Sequence, residues 1–183
     1  MPKQMNSMKE KYNSQVIKAM REKFSYGNDL AVPKIKKAVI NVGTGKYAKE
    51  QEKVDEVMNS ITAIAGQRPV RTKAHVAVSG FKIRQGLEIG IKTTLRGKRM
   101  WQFLDRLVNV ALPRTRDFQG IEDKAVDSWG NLNLGIKDHS IFPEIFPEKV
   151  KNIFSFQVTV TTDAKNHDEG KELFKLLGFP IRQ

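Results

Sequence analysis

"SGFKIRQGLEIGIKTTLRGKRMW", residues Ser79 to Trp101, separates into two strings when every second residue is read. The odd positions give Phe81, Ile83, Leu87, Ile89, Ile91 and Leu95; the even ones give Lys82, Arg84, Lys92, Thr94, Arg96 and Lys98. Alternation with a period of two is how a strand with one buried and one wet face is written. The stretch is read as a hairpin turning near Gln85-Gly86, and Glu88 is the only acid on its wet face. Like charges facing one another across a sheet repel, so such a cationic row calls for compensation by an outside polyanion.

The rest of the composition agrees. Among 183 residues, 32 Lys and Arg face 20 Asp and Glu, a formal charge of +12. The excess is concentrated: residues 68–116 hold 12 basic and 2 acidic residues, whereas the last third is slightly acidic. Self-repulsion of this kind suits a chain that meets a polyanion. With 39% hydrophobic residues the chain can build one core, so residues 1–183 are read as a single domain, with residues 1–6 a disordered tail. Cysteine is absent, which removes disulfides, zinc ribbons and thiol nucleophiles together. No apolar run approaches the roughly 18 residues that span a bilayer. "MPKQMNSMKEKYNSQ" lacks the apolar core of a signal peptide. A soluble cytoplasmic protein without a membrane partner is expected.

Outward from the hairpin, Met8, Tyr12, Val16, Ala19 and Met20 recur at helical spacing and predict a helix from about Ser7 to Phe24, ended by Gly27 and Asn28. "KIKKAVINVGTG" (Lys34 to Gly45) reads as a strand and turn. Val54, Val57, Met58, Ile61 and Ile64 mark a second helix with Gly66 as its C-cap. A third carries Trp101, Leu104, Leu107, Val108 and Ala111 and is stopped by Pro113. Leu112 to Gly130 shows no period and is expected to be a long loop. Leu132, Leu134 and Ile136 alternate, as do Phe154, Phe156, Val158 and Val160, and both predict strands. A last helix from about His167 to Leu177 is capped by Asn166 and ended by Gly178 and Pro180. "IFPEIFPE" (Ile141 to Glu148) is read as a proline-bearing turn. This order predicts an α+β fold, a mostly antiparallel sheet with helices on one face, and the cationic row makes the opposite face the candidate RNA-binding one.

Catalytic and metal chemistry find no foothold. "NVGTGK" (Asn41 to Lys46) resembles a phosphate loop, but the Walker A pattern needs glycine at position 40 and Ser or Thr at 47, where Ile40 and Tyr47 stand. His75, His139 and His167 are isolated, and Asp117, Glu122, Asp123 and Asp127 read as a solvated loop. No catalytic residue, metal ligand or cofactor is expected. The basic hairpin instead interleaves Lys and Arg with Thr93, Thr94 and Gln85, groups that bond phosphate, sugar or base edges. A sheet face of that kind can lie along the shallow minor groove of structured RNA. "RPVRTKAHVAVSG" (Arg68 to Gly80), rich in small and basic residues, reads as a loop or projecting arm.

"VPKIKKAVINVGTG", "ITAIAGQRPVRTKA", "GFKIRQG", "TLRGKRMW", "ALPRTRDFQG", "IFPEI" and "GFPIR" follow one another in an order shared with one family. Together they resemble the bacterial-type 5S-rRNA-binding proteins of the large ribosomal subunit, number five in the traditional series, from about Lys9 to Arg182. The resemblance implies a structural protein whose concave sheet face grips 5S rRNA and helps fix it in the central protuberance, beside large-subunit rRNA and neighbouring proteins. By position it implies rRNA contacts at Asn41, Gln67, Thr94 and Arg96. Lys36 and Lys37 of the first strand, and Lys82, Arg84 and Lys92 of the basic row, are candidate contacts beside them. It also implies that the loop Thr72, Lys73, Ala74, His75, Val76, Ala77, Val78, Ser79, Gly80 approaches the P-site tRNA. A further surface, not assigned to residues, would meet a small-subunit head protein across an intersubunit bridge.

Two departures bear on these contacts. His75 and Val76 stand where similar proteins commonly carry basic residues, and Trp129 where an arginine is usual; Trp129 either stacks on a base or packs against Phe118. The rival reading is a sequence-tolerant single-stranded RNA-binding module, which requires aromatic rings on the sheet face. Phe81, Phe154 and Phe156 alternate onto the expected core side.

Overall fold

A computed structural model describes residues 7–47, 50–146 and 152–182. The expected tail at residues 1–6, and Pro147 and Glu148 of the proline turn, lie outside them. Among these residues four α-helices, α1 (residues 8–24), α2 (Gln51–Ala65), α3 (residues 97–114) and α4 (His167–Leu177), accompany five strands. The strands are β1 (Ile35–Gly43), β2 (Val70–Lys73), β3 (Glu88–Leu95), β4 (Leu132–Ile136) and β5 (Phe156–Thr162). They form an antiparallel sheet in the order β2-β3-β1-β5-β4, an α+β fold as expected. Long strands occupy the middle, and the edges are β2 with four residues and β4 with five. By contacts the chain divides into two units, Met1–Ala38 with Leu95–Leu134 and Thr159–Gln183, and Val39–Thr94 with Gly135–Val158.

In the first unit α1 starts with a capping box: Ser7 Oγ accepts from the Glu10 amide, and Glu10 Oε2 accepts from the Ser7 amide. Its apolar face buries Met8, Tyr12, Val16 and Met20. A π turn over Tyr12–Val16 interrupts it, and Ser25 ends it in the left-handed region, before the expected Gly27. Tyr12 lays its ring 5.9 Å from that of Trp101 and donates its hydroxyl to the Pro33 carbonyl at 3.1 Å. Burial pushes its phenol up to about 12. Helix α3 runs through Pro113 to Arg114 rather than stopping at the proline. A π turn over Leu107–Ala111 comes first, so Pro113 sits at the start of a renewed helical turn, where its missing N–H costs little.

Helix α4 begins after Asn166 as expected, but that side chain makes no cap bond; Glu169 Oε2 reaches back instead and accepts from the Lys165 amide at 2.9 Å. Gly178, at φ +103°, closes the helix. The first turn of α4 packs on the bend before β4, where Gly170 and Gly130 meet backbone to backbone. Asp127 ties that bend: Oδ1 accepts from the amides of Trp129 and Asn131, and Oδ2 from Asn131 Nδ2. The indole of Trp129 is left 70% exposed.

Burial pushes the Asp127 carboxyl up, but the three donors outweigh it and hold its pKa below the usual carboxylate value. The stability it adds is therefore present above the unfolded-state value and lost as pH falls through the lowered one. Tm is expected to decline below about pH 4, and Asp127→Asn should flatten that decline. Superimposable acid limbs of Tm against pH for the two proteins would show that the bend adds nothing of this kind.

In the second unit α2 buries Val54, Val57, Ile61, Ile64 and Ala65 and ends at Gly66, φ +65°, as expected. Ile40, Val42, Ile91 and Val158 from the strands are equally buried. Phe142, Phe154 and Phe156 add rings 5.9 and 6.4 Å apart. His139 stacks on Phe154 at 4.0 Å and is 2% exposed, and burial lowers its pKa. It is a neutral core residue.

The hairpin differs from its expectation. β3 pairs with β2, so Val70 faces Lys92, Arg71 faces Ile91 and Thr72 faces Gly90. Residues 74–87 form an arm between the two strands, closed by bonds between Ala74 and both Gly86 and Leu87 and by one bridge from Val78 to Ile83. Gln85-Gly86 does turn, but at the base of the arm. Phe81 and Leu87, expected in the core, are 79% and 36% exposed. Alternation persists there, but no layer covers Phe81 and Leu87.

Candidate nucleic-acid interface

Strand alternation separates two sides in the second unit. Ile40, Val42, Ile91 and Thr93 are buried; Asn41 and Gly43 on β1, Lys92 on β3, Gly135 on β4 and Gln157 on β5 are exposed on the other side. Val70 and Thr72 join them through their pairing with Lys92 and Gly90. No Asp or Glu occurs in this open row. The register explains why: a bulge between Thr72 and Lys73 pairs Lys73 with Glu88, skips Ile89, and sends Glu88 to the side of Arg71. Arg71 grips Glu88 at 2.8 Å and Asp55 of α2 at 2.6 Å. The one acid expected on the wet face is drawn off it.

The candidate rRNA contacts fall in three places. Asn41, Lys92 and Thr94 share the open side, and the Gln67 side chain donates to the Thr94 carbonyl at 3.4 Å, which ties the end of α2 to that strand. Lys82 and Arg84 are exposed on the arm, not on a strand. Lys36, Lys37 and Arg96 belong to the first unit. Lys36 and Lys37 are adjacent and point to opposite faces; Lys36 lies 3.7 Å from Asp163, and Lys37 is half-buried. Arg96 is exposed, immediately before α3.

Of the expected tRNA loop, Thr72 and Lys73 belong to β2 and Ala74 is buried, whereas His75, Val76, Ala77, Val78, Ser79 and Gly80 are exposed on the arm. "NVGTGK" is the end of β1 and a short turn. The amides of Thr44 and Tyr47 already donate to Ile89 and Thr44 carbonyls, so they cradle no phosphate. Among the described residues no cluster of His, Asp and Glu is placed to hold a metal. None of their helices is long and apolar enough to cross a membrane.

Among the described residues of this unit, two hollows bear on the interface. The larger, 690 Å³, is lined by Glu52, Asp55, Glu56 and Glu144, a surface that repels a polyanion. The other, 470 Å³, lies on the open side between Asn41, Gly43, Gly135, Lys137, Ser155 and Gln157. Sequence reasoning misses Lys137, Ser155 and Gln157. Their signal lies in the polar positions that alternate with the buried strings, Ser155 and Gln157 with Phe154, Phe156 and Val158, and Lys137 after Ile136, which a reading of the buried string alone passes over.

A basic, acid-free sheet side is common to many nucleic-acid binders; similarity along the whole chain decides among them. Two family patterns match: that of ribosomal protein L5 over residues 28–84, and that of the ribosomal L5 family C-terminus over residues 88–181. The chain belongs to the ribosomal protein L5 family. Proteins named "Large ribosomal subunit protein uL5" from Halothermothrix orenii, Carboxydothermus hydrogenoformans and Syntrophomonas wolfei are 44%, 47% and 45% identical to it. The matches cover 98%, 97% and 97% of this chain and 100%, 99% and 100% of theirs. As a member of the L5 family it is a structural, rRNA-binding protein of the large subunit, working in the cytoplasmic ribosome, and not an enzyme.

Proposed function

We propose that this protein binds 5S rRNA through the open side of its sheet and helps attach that RNA in the central protuberance. The observation that carries the reading is the acid-free row of Asn41, Lys92 and Thr94, kept so by the bulge at Thr72 and Lys73. Cations supply affinity on phosphates, while shape and polar groups such as Asn41 and Thr94 supply selection. Lys36, Lys37, Gln67, Lys82, Arg84 and Arg96 are further contacts of the same RNA. The exposed arm from His75 to Gly80 approaches P-site tRNA, and another surface meets a small-subunit head protein across the intersubunit bridge. Residues 1–183 act as one functional domain.

The single-stranded RNA module has less support. It needs stacking rings on the sheet, yet Phe154 and Phe156 are buried and the exposed Phe81 is on the arm. Competition tests the choice: labelled 5S rRNA should be displaced by unlabelled 5S rRNA and not by poly-U at equal nucleotide concentration. Equal displacement would favour the rival. In the same assay Arg96→Ala should cost about 1.5–3 kcal/mol of binding with Tm unchanged. A lowered Tm with full binding would make Arg96 structural.

A further inference from the structure

Glycine inside a strand is destabilising and usually marks a bulge, a strained φ or a close approach by another group. Three glycines of the second unit separate on this point. Gly90 is required by packing, because a Cβ there would lie 2.6 Å from Thr72 Oγ1 and 3.2 Å from the Val42 carbonyl oxygen. Gly43 and Gly135 have no such reason. Neither has a positive φ, and a Cβ at either would meet nothing within 4 Å. Both are exposed and both line the 470 Å³ hollow on the open side. Nothing among the described residues accounts for the missing side chains, which points to a need outside the protein.

The rim of the hollow says what approaches. Asn41 and Gln157 each present an amide with donors and an acceptor, Ser155 a hydroxyl, and Lys137 the single cation. No acid and no exposed aromatic lines it. Paired donors and acceptors with one positive charge suit a ribose–phosphate edge, whose 2′-hydroxyl both gives and takes a hydrogen bond. Base stacking has no partner there, and a bare phosphate cluster would call for more cations.

We infer that the hollow between Gly43 and Gly135 is a ribose-reading subsite in which Asn41 and Gln157 bond a 2′-hydroxyl and Lys137 the adjoining phosphate. The subsite rests on the proposed binding of 5S rRNA by this side of the sheet and makes it selective for RNA over DNA. The two glycines let the sugar edge reach the backbone of the strands.

Binding of 5S rRNA and of a DNA copy of the same sequence would be measured for the full chain, for Gly135→Ala, Gly135→Val, Gln157→Ala and Lys137→Ala, with Tm recorded for each. Gly135→Ala should keep or raise Tm, since it removes a flexible residue without a clash, and should still weaken RNA binding. Gly135→Val should lose about tenfold or more in RNA affinity. Gln157→Ala should lower RNA affinity while leaving DNA affinity unchanged, so that the preference for RNA shrinks. Lys137→Ala should weaken both alike. Parental RNA affinity in both Gly135 variants, or an unchanged RNA-to-DNA ratio in Gln157→Ala, would overturn the subsite. If the parent chain itself shows no preference for 5S rRNA, the wider reading fails as well, and the two failures are told apart by that first measurement.

Discussion

Raising salt from about 50 to 200 mM is expected to weaken the proposed complex with 5S rRNA by about a thousandfold or more. Six cations, the half-buried Lys37 and the exposed Lys82, Arg84, Lys92, Arg96 and Lys137, carry no ion pair among the described residues, whereas Arg71 and Lys53 are already engaged by acids. Each phosphate contact releases condensed counterions, so affinity falls with salt by a log–log slope of about −0.9 per contact. Six contacts over a fourfold rise in salt give the loss stated. Titrations at four or five salt concentrations yield the slope directly. A value equivalent to fewer than about three contacts would mean that phosphate neutralisation is not the main source of affinity.

The second large effect is on stability. Gly170→Ala is expected to destabilise the protein by about 3 kcal/mol, lowering Tm by about 6–12 °C for a chain of this size. Its Cβ would lie 2.3 Å from Gly130 Cα and 2.6 Å from the Gly130 carbonyl oxygen. Gly130 is poorly placed to retreat. It sits at φ +72°, a Cβ of its own would meet Ala164 Cβ at 2.7 Å, and its carbonyl accepts from the Thr162 hydroxyl at 2.8 Å. Both partners at the clash are main chain, so relief requires moving α4 away from the bend before β4. A thermal melt of the variant within about 2 °C of the parent would show that the helix yields more easily than this packing implies. Gly135→Ala serves as the contrasting change, because its Cβ enters open space.

Helix positions were legible in the sequence because α1, α2, α3 and α4 each bury one stripe at helical spacing. Pro113 misled because a π turn upstream changes where the missing N–H falls. Lys92, Thr94 and Arg96 were legible as outward-facing because alternation holds through Leu95. The same rule failed at Phe81 and Leu87. Their pattern continues that of the strand, yet whether a face is covered depends on a layer that local sequence does not encode. Glu88 is the sharper case. Its parity placed it with the cations, and one bulged residue transferred it to Arg71. Register irregularities come from the pairing of distant segments, so they leave no local mark. The clearance at Gly43 and Gly135 was hidden for a related reason: a glycine in a sequence does not say whether a turn, a neighbour or a ligand requires it.

The sheet margins have a consequence for copies awaiting their RNA. Outer strands of four and five residues present few unsatisfied amides and carbonyls, and Arg71 and Lys73 stud one of them. A second polypeptide finds too little ladder to zip onto. Edges this short and charged disfavour edge-to-edge pairing between free copies.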